Sequence, residues 1–155
     1  MKTDVRLSTK FASTQNAHQV GMLVTMDGET PVRRAPINVA LVLDRSGSMT
    51  GSPLAAAREA AARFVSFLAP EDPLSIVVFD DTVETIYGPA PAGDLSDALG
   101  ALSRVREGGC TNLSGGWLTG ARHVRQHLVE GTNRVVLLTD GQANSGITDP
   151  SRLAG

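Results

Sequence analysis

The chain opens with two short stretches in which apolar and polar residues alternate. In "VRLSTKF" the apolar positions are Val5 and Leu7; in "VGMLVTM" they are Val20, Met22, Val24 and Met26. A period of two belongs to half-buried antiparallel strands, so the pair predicts a hairpin with a long polar connection. After the turn-rich "DGETPVRRAP" the pattern becomes "INVALVL", continuously apolar, as a strand covered on both faces is. Helical periodicity follows. Ser52 is placed to cap, Pro53 suits the first helical position, and Leu54, Ala57, Ala61, Phe64, Val65 and Leu68 mark one face. "LSIVVF" predicts a second buried strand and "TVETIY" a third, joined by the acidic turn Asp80-Asp81 into a hairpin that leaves the third strand at an antiparallel edge. "DLSDALGALSRV" predicts a short helix with Leu95, Leu99 and Leu102 inward, and "REGGCTNLSGG" a glycine-rich loop. Residues 113–129 predict a longer helix with Leu113, Trp117, Val124 and Leu128 inward. "RVVLLTDGQANSG" supplies the fourth strand of this part, and Asp149 with Pro150 reads as the cap and first residue of a helix the chain does not complete.

Strands alternating with helices predict an α/β fold: a doubly wound, mostly parallel sheet with helices on both faces, preceded by the N-terminal β-hairpin. We place the hairpin extension in residues 1–35 and the α/β domain in 36–155. A content of 41% hydrophobic and 19% charged residues over 155 residues suits a globular domain. A net charge of −2 exerts no diffuse pull on nucleic acid or anionic membrane, so a partner must be met at a local site. The single Cys110 cannot form an internal disulfide, and "MKTDVRLSTK" has no apolar core of a signal sequence. Without a spanning segment either, the expectation is a cytoplasmic protein that does not insert into membranes.

Ligands of doubly wound sheets bind beyond the carboxyl ends of the strands where the strand order reverses. Two predicted strands end in aspartate, Asp44 and Asp140. In "DRSGSM", Asp44, Ser46 and Ser48 take alternate positions, so their oxygens can lie on one side of an extended loop. Carboxylates mixed with hydroxyls suit a hard cation, Mg²⁺ better than Ca²⁺. Because hydroxyls carry no formal charge, a cation held by them stays electron-poor and accepts one more anionic oxygen from outside. Other candidates are weaker. His123 and His127 stand four apart, but no Glu follows the first as zincin chemistry requires, and a solvated helix face is expected. Cys110 has no assignable base and reads as a small, part-buried loop residue; Trp117 reads as core; Asp80 and Asp81 read as a solvated turn. The alternative to a binding module is a Mg²⁺-dependent phosphotransferase or hydrolase with Asp44 as nucleophile. Such enzymes commonly place a second carboxylate two residues later, where this chain has Ser46. Its lysines, Lys2 and Lys10, lie in the hairpin, and no GxxxxGK[ST] loop is present. No G-x-G-x-x-G links a strand to a helix either. A binding module rather than an enzyme is expected.

Three separated motifs carry a family resemblance: Asp44-Arg45-Ser46-Gly47-Ser48, the loop "GGCTNLSGG" with Thr111, and "LLTDG" with Asp140. Together they resemble a von Willebrand factor A-type domain with a metal-ion-dependent adhesion site, the module also found in integrin I domains. "APINVALVLDRSGSM", "DPLSIVVFDD" and "TDGQANSG" are similar to bacterial members. The resemblance covers residues 36–150 and implies a Rossmann-like fold. It implies that Ser46 and Ser48 bind the metal directly, Asp44 and Asp140 mostly through water, and Thr111 directly or through water according to state. The implied ion is Mg²⁺, with Mn²⁺ or Ca²⁺ as substitutes. The implied partner is a protein offering a Glu or Asp carboxylate.

The family's sheet continues with two further strands beyond the one bearing Asp140, so the domain is expected to be incomplete at its C-terminus. "RVVLLT" (134–139) would then keep one side unpaired, with no proline or lysine to blunt it. We expect the 155-residue chain to bury that edge in a homodimer, by strand pairing or by exchange of the N-terminal hairpin. Light scattering at high micromolar concentration should show a dimer that Val136→Pro weakens by removing a ladder donor. A purely monomeric species there overturns this expectation.

Overall fold

The computed structural model describes residues 2–7, 22–27 and 34–140. The chain divides into two compact units, Met1–Arg34 and Ala35–Gly155. In the first, β1 (Lys2–Leu7) and β2 (Met22–Asp27) form an antiparallel pair registered Val5 to Val24 and Leu7 to Met22. Two of the alternating apolar positions on each strand thus meet across the ladder, while Met26 stands opposite Thr3. The predicted connection between them, and the helix start at Asp149 and Pro150, lie outside the described residues.

In the second unit, the apolar run becomes β3 (Ile37–Asp44), buried from Asn38 onwards. The elements that follow are α1 (Ser52–Val65), β4 (Pro73–Phe79), β5 (Val83–Pro91), α2 (Ser96–Ser103), α3 (Leu113–Gln126) and β6 (Thr132–Leu138). The sheet runs β5-β4-β3-β6, with β3 parallel to both neighbours and β5 antiparallel at one edge. Residues of β3 alternate between two cores. Val39, Leu41 and Leu43 share one with Leu54 and Ala61 of α1 and Leu102 of α2. Val42 shares the other with Val77, Phe79 and, from α3, Leu113. Each such side chain, taken from water, contributes about 1.5–3 kcal/mol, which is why a continuously apolar strand settles in the middle of the sheet. This is the doubly wound α/β architecture expected from the alternation of elements. On its far side from β3, β6 pairs with no strand among the described residues. No helix among them is long and apolar enough to cross a membrane.

Asn38 interrupts the apolar run for a reason. Its side-chain amide donates to the carbonyls of Val124 and His127, both at 2.8 Å, and so adds donors at the end of α3, where helical bonding runs out. Asp72, also buried, accepts from the amides of Ile37 (3.0 Å) and Ala69 (2.7 Å) and ties the start of β3 to the connection before β4.

Several helix details differ from the sequence pattern. The cap of α1 is Gly51, at φ 81°, and Ser52 lies inside the helix without a capping bond. Phe64 is 36% exposed because it falls at the margin of the stripe centred on Leu54 and Ala61. On α2, Ala98, Ala101 and Leu102 are buried while Leu99 is exposed. On α3 the buried face is Ser114, Gly116, Gly120 and Val124; Leu113 and Trp117 are half-buried, and Leu128, past the helix end, is exposed. Close packing explains the last case. A Cβ at Gly116 would stand 2.6 Å from Phe79 Cδ1, and one at Gly120 2.6 Å from Val42 Cγ2. The helix lies too near the sheet for side chains there. Gly120→Val should therefore lower stability by about 1–3 kcal/mol through overpacking, read as a lower urea midpoint; an unchanged midpoint would show that α3 is free to lift.

Candidate metal centre

β3 is followed through α1 by β4 on one side and is flanked by β6 on the other, so the carboxyl ends of β3 and β6 form the switch point where ligands of such sheets bind. Asp44 closes β3, and the register Leu43 to Leu138 brings Thr139 alongside it. The Asp44 side chain is fully buried. Its Oδ1 accepts from the Ser46 amide (2.9 Å), and its Oδ2 accepts from the Thr139 hydroxyl at 2.6 Å, the length of a charge-assisted bond. Beyond it the chain makes a 3-10 turn, Gly47–Met49, pinned from below by Met49, which is buried in the α1 core. Ser46 is buried and Ser48 exposed, and their hydroxyl oxygens stand 3.2 Å apart.

Thr111, buried, comes from the loop between α2 and α3. That loop is laced to the turn after β3 by two backbone bonds: the Gly47 amide donates to Gly109 O (2.8 Å) and the Gly108 amide to Arg45 O (2.7 Å). Asn112 then starts α3, its Oδ1 accepting from the Gly115 amide at 3.0 Å. Asp140 follows Thr139 and is exposed. Hydrogen bonds therefore gather Asp44, Ser46 and Ser48, backbone bonds lay the loop bearing Thr111 along their turn, and Asp140 stands one residue past the Thr139 bond. The donor set is all oxygen, carboxylates and hydroxyls. Among the described residues no group of three or more His, Cys, Asp or Glu is placed to hold a metal ion by itself. The oxygen set fits a hard divalent cation.

Residues 39–142 match the family described as the von Willebrand factor type A domain. The chain belongs to this family. It is 33% identical over 128 residues to inter-alpha-trypsin inhibitor heavy chain H3 of Rattus norvegicus, covering 76% of this chain but 14% of that protein. Among solved structures it is similar to a von Willebrand factor type A protein from Catenulispora acidiphila, with TM-score 0.64, 24% identity, and coverage of 87% of this chain and 31% of that one. It is also similar to proximal thread matrix protein 1 from the mussel byssus with a zinc-occupied MIDAS motif, with TM-score 0.55, 25% identity, and coverage of 72% and 30%. The chain thus spans about a third or less of the length of these three proteins.

In this von Willebrand factor type A domain the Asp80-Asp81 turn is not solvated as a unit. Asp81 is exposed, but Asp80 is 6% exposed. Its Oδ1 accepts from the amide and the hydroxyl of Thr82, both at 2.8 Å, and its Oδ2 from Arg45 Nε at 3.0 Å. The signal was present but indirect: the parallel register sets Asp44 opposite Phe79, so the residues after each, Arg45 and Asp80, stand side by side. Cys110 is exposed, not part-buried. His127 is exposed as expected, while His123 is half-buried with Nδ1 enclosed; burial lowers its pKa, and Arg122 and His127 add to that.

Burial alone would raise the pKa of Asp80, but the two Thr82 bonds and the Arg45 guanidinium outweigh it and hold the carboxyl below 3.8. A carboxyl whose folded pKa is depressed stabilises the fold above its unfolded pKa of about 3.9 and loses that stabilisation as pH falls through the folded value. Urea midpoints from pH 7 to pH 3 should fall more steeply for the wild type than for Asp80→Asn, which starts lower at pH 7. Parallel profiles would mean that the pairing contributes nothing.

Proposed function

We propose that this domain is a metal-dependent protein-interaction module, in which Asp44, Ser46, Ser48, Thr111 and Asp140 hold Mg²⁺, or Mn²⁺ or Ca²⁺ in its place, and a protein partner adds a Glu or Asp carboxylate. The observation that carries the reading is the buried Asp44 carboxylate at the switch point, with the Ser46 and Ser48 hydroxyls 3.2 Å from each other just beyond it. When bound, the ion supplies a Lewis-acidic docking point for an outside carboxylate oxygen. The chain's own residues supply the rest. Asp44, oriented by the Ser46 amide and the Thr139 hydroxyl, contributes negative charge from the floor. Ser46, Ser48 and Thr111 contribute neutral oxygens that leave positive charge uncompensated on the outward side. The zinc at the MIDAS motif of the mussel protein supports the reading, as does the mainly interaction-module character of the family. The phosphotransferase alternative gains no support from the geometry. Both oxygens of Asp44 already accept hydrogen bonds, and the side chain is sealed from solvent, which suits an orienting group better than an attacking nucleophile. The side of β6 that pairs with no strand among the described residues is the edge we assign to a second copy of the chain.

Calorimetry tests the centre. Mg²⁺ and Mn²⁺ should bind the wild type and not Asp44→Ala, and a protein captured by the wild type should be released by EDTA. Equal metal affinity in the two proteins, or a partner held equally in EDTA, overturns the proposal.

A further inference from the structure

We infer that Asp80 is a positioning residue that locks together the two loops of the metal centre; the inference rests on the metal reading above and extends it to a residue outside the ligand set. Arg45 sits between Asp44 and Ser46 and is held at three points. Its amide donates to Phe79 O (2.9 Å), its carbonyl accepts from the Gly108 amide (2.7 Å), and its Nε donates to Asp80 Oδ2 (3.0 Å). A residue fixed at both main-chain groups and at its side chain fixes the peptide planes on either side of it, and these carry Asp44 and Ser46. Asp80 is itself immobilised, because its Oδ1 is taken by both donors of Thr82.

The same residue reaches the other loop. Asp80 O accepts from the Asn112 amide at 2.6 Å, directly after Thr111. Two residues before Thr111, Gly109 O accepts from Gly47 in the turn after β3. The loop also lies flat on the carboxylate. A Cβ at Gly108 would run into Asp80 Oδ2 and stand 2.9 Å from Asp80 Cβ, so a glycine there allows the close approach. Asp80 thus touches the serine turn through its side chain and the threonine loop through its main chain. Arg45 has a second carboxylate partner, Glu84, at 3.3 Å, but the Glu84 side chain is 59% exposed against 8% for Asp80. An exposed pair is screened and holds little, whereas breaking a buried pair leaves a charge without compensation. The difference makes Glu84 a built-in control.

Groups that orient metal ligands from behind are worth about 10–100-fold in metal affinity. Mn²⁺ titration by calorimetry should give about tenfold weaker binding for Asp80→Asn, which keeps the size and the Thr82-facing oxygen, and unchanged binding for Glu84→Gln. Amide hydrogen exchange of the metal-free proteins supplies a second reading. Asp80→Asn should speed exchange at Gly47, Gly108 and Asn112 while the amides of β3 keep wild-type protection, a local effect that general destabilisation does not produce. If Asp80→Asn fails to fold, Arg45→Gln should show the same pattern. Wild-type affinity together with wild-type exchange in the folded variant overturns the inference while leaving the metal centre standing. Should Mn²⁺ bind the wild type and Asp44→Ala alike, the metal reading fails, and exchange alone decides: faster exchange at the three amides upholds the lock, and unchanged exchange removes it.

Discussion

The carboxylate of Asp44 is the constraint on which the rest of the unit turns. An ionised group with no solvent exposure carries a desolvation penalty of several kcal/mol unless its lone pairs are met by donors. Here the donors come from two directions: the Ser46 amide, available only because the chain turns sharply after β3, and the Thr139 hydroxyl, available only because β6 lies beside β3 in one register. A slip of one residue between these strands would turn the hydroxyl to the other face and leave Oδ2 without its partner. Strand order, register and turn are therefore tied to a single polar group. That group sits at the point where the α/β topology opens a crevice.

The other determinant is how closely α3 lies on the sheet. Gly116 and Gly120 bring its axis against Phe79 and Val42, and the start of a helix so tightly seated fixes where the preceding loop must end. Asn112, capping that start, also donates its amide to the Asp80 carbonyl. The position of Thr111 thus follows from glycines that contribute no hydrophobic area of their own. Packing distance and site geometry here are one quantity.

The residues that were legible in the sequence, and those that were not, divide along the same line. Hydropathy reports transfer from water, so it exposed β3 and β4 as buried strands and the alternating β1 and β2 as a hairpin. The spacing of Asp44, Ser46 and Ser48, with Asp140 at the end of a second strand, marked the candidate centre because oxygen donors at two strand ends suit a hard cation, and Thr111 joined it through the family resemblance. Hydropathy is blind to how near two backbones come. It nominated Leu128 and Leu99 for the interior, and both are exposed; it passed over Gly116 and Gly120, which are the true contact face of α3. Asp80 was misread for a different reason. Adjacent acidic residues between two strands look like a solvated turn, and the burial of one of them depends on Arg45, 35 positions away, which only the parallel register brings close.

Over five residues the candidate centre passes from full burial at Asp44 to exposure at Ser48. Along this segment the anionic group lies at the floor and neutral hydroxyls line the way out, while the exposed Asp140 brings a second carboxylate to the outer side. The order matters for what the centre can do. A carboxylate at the floor attracts a cation strongly because little water screens it there. The neutral Ser48 oxygen at the rim neither repels an incoming anion nor neutralises a cation on its outward side. With the two reversed, a wholly anionic rim would hold a cation in a screened position and repel the carboxylate of the proposed partner, since like charges facing each other across an interface carry a penalty of several kcal/mol. The buried floor in turn needs Ser46 and Thr139 to tolerate its charge, so in the proposed function any affinity for an outside carboxylate begins in the hydrogen bonds beneath the centre.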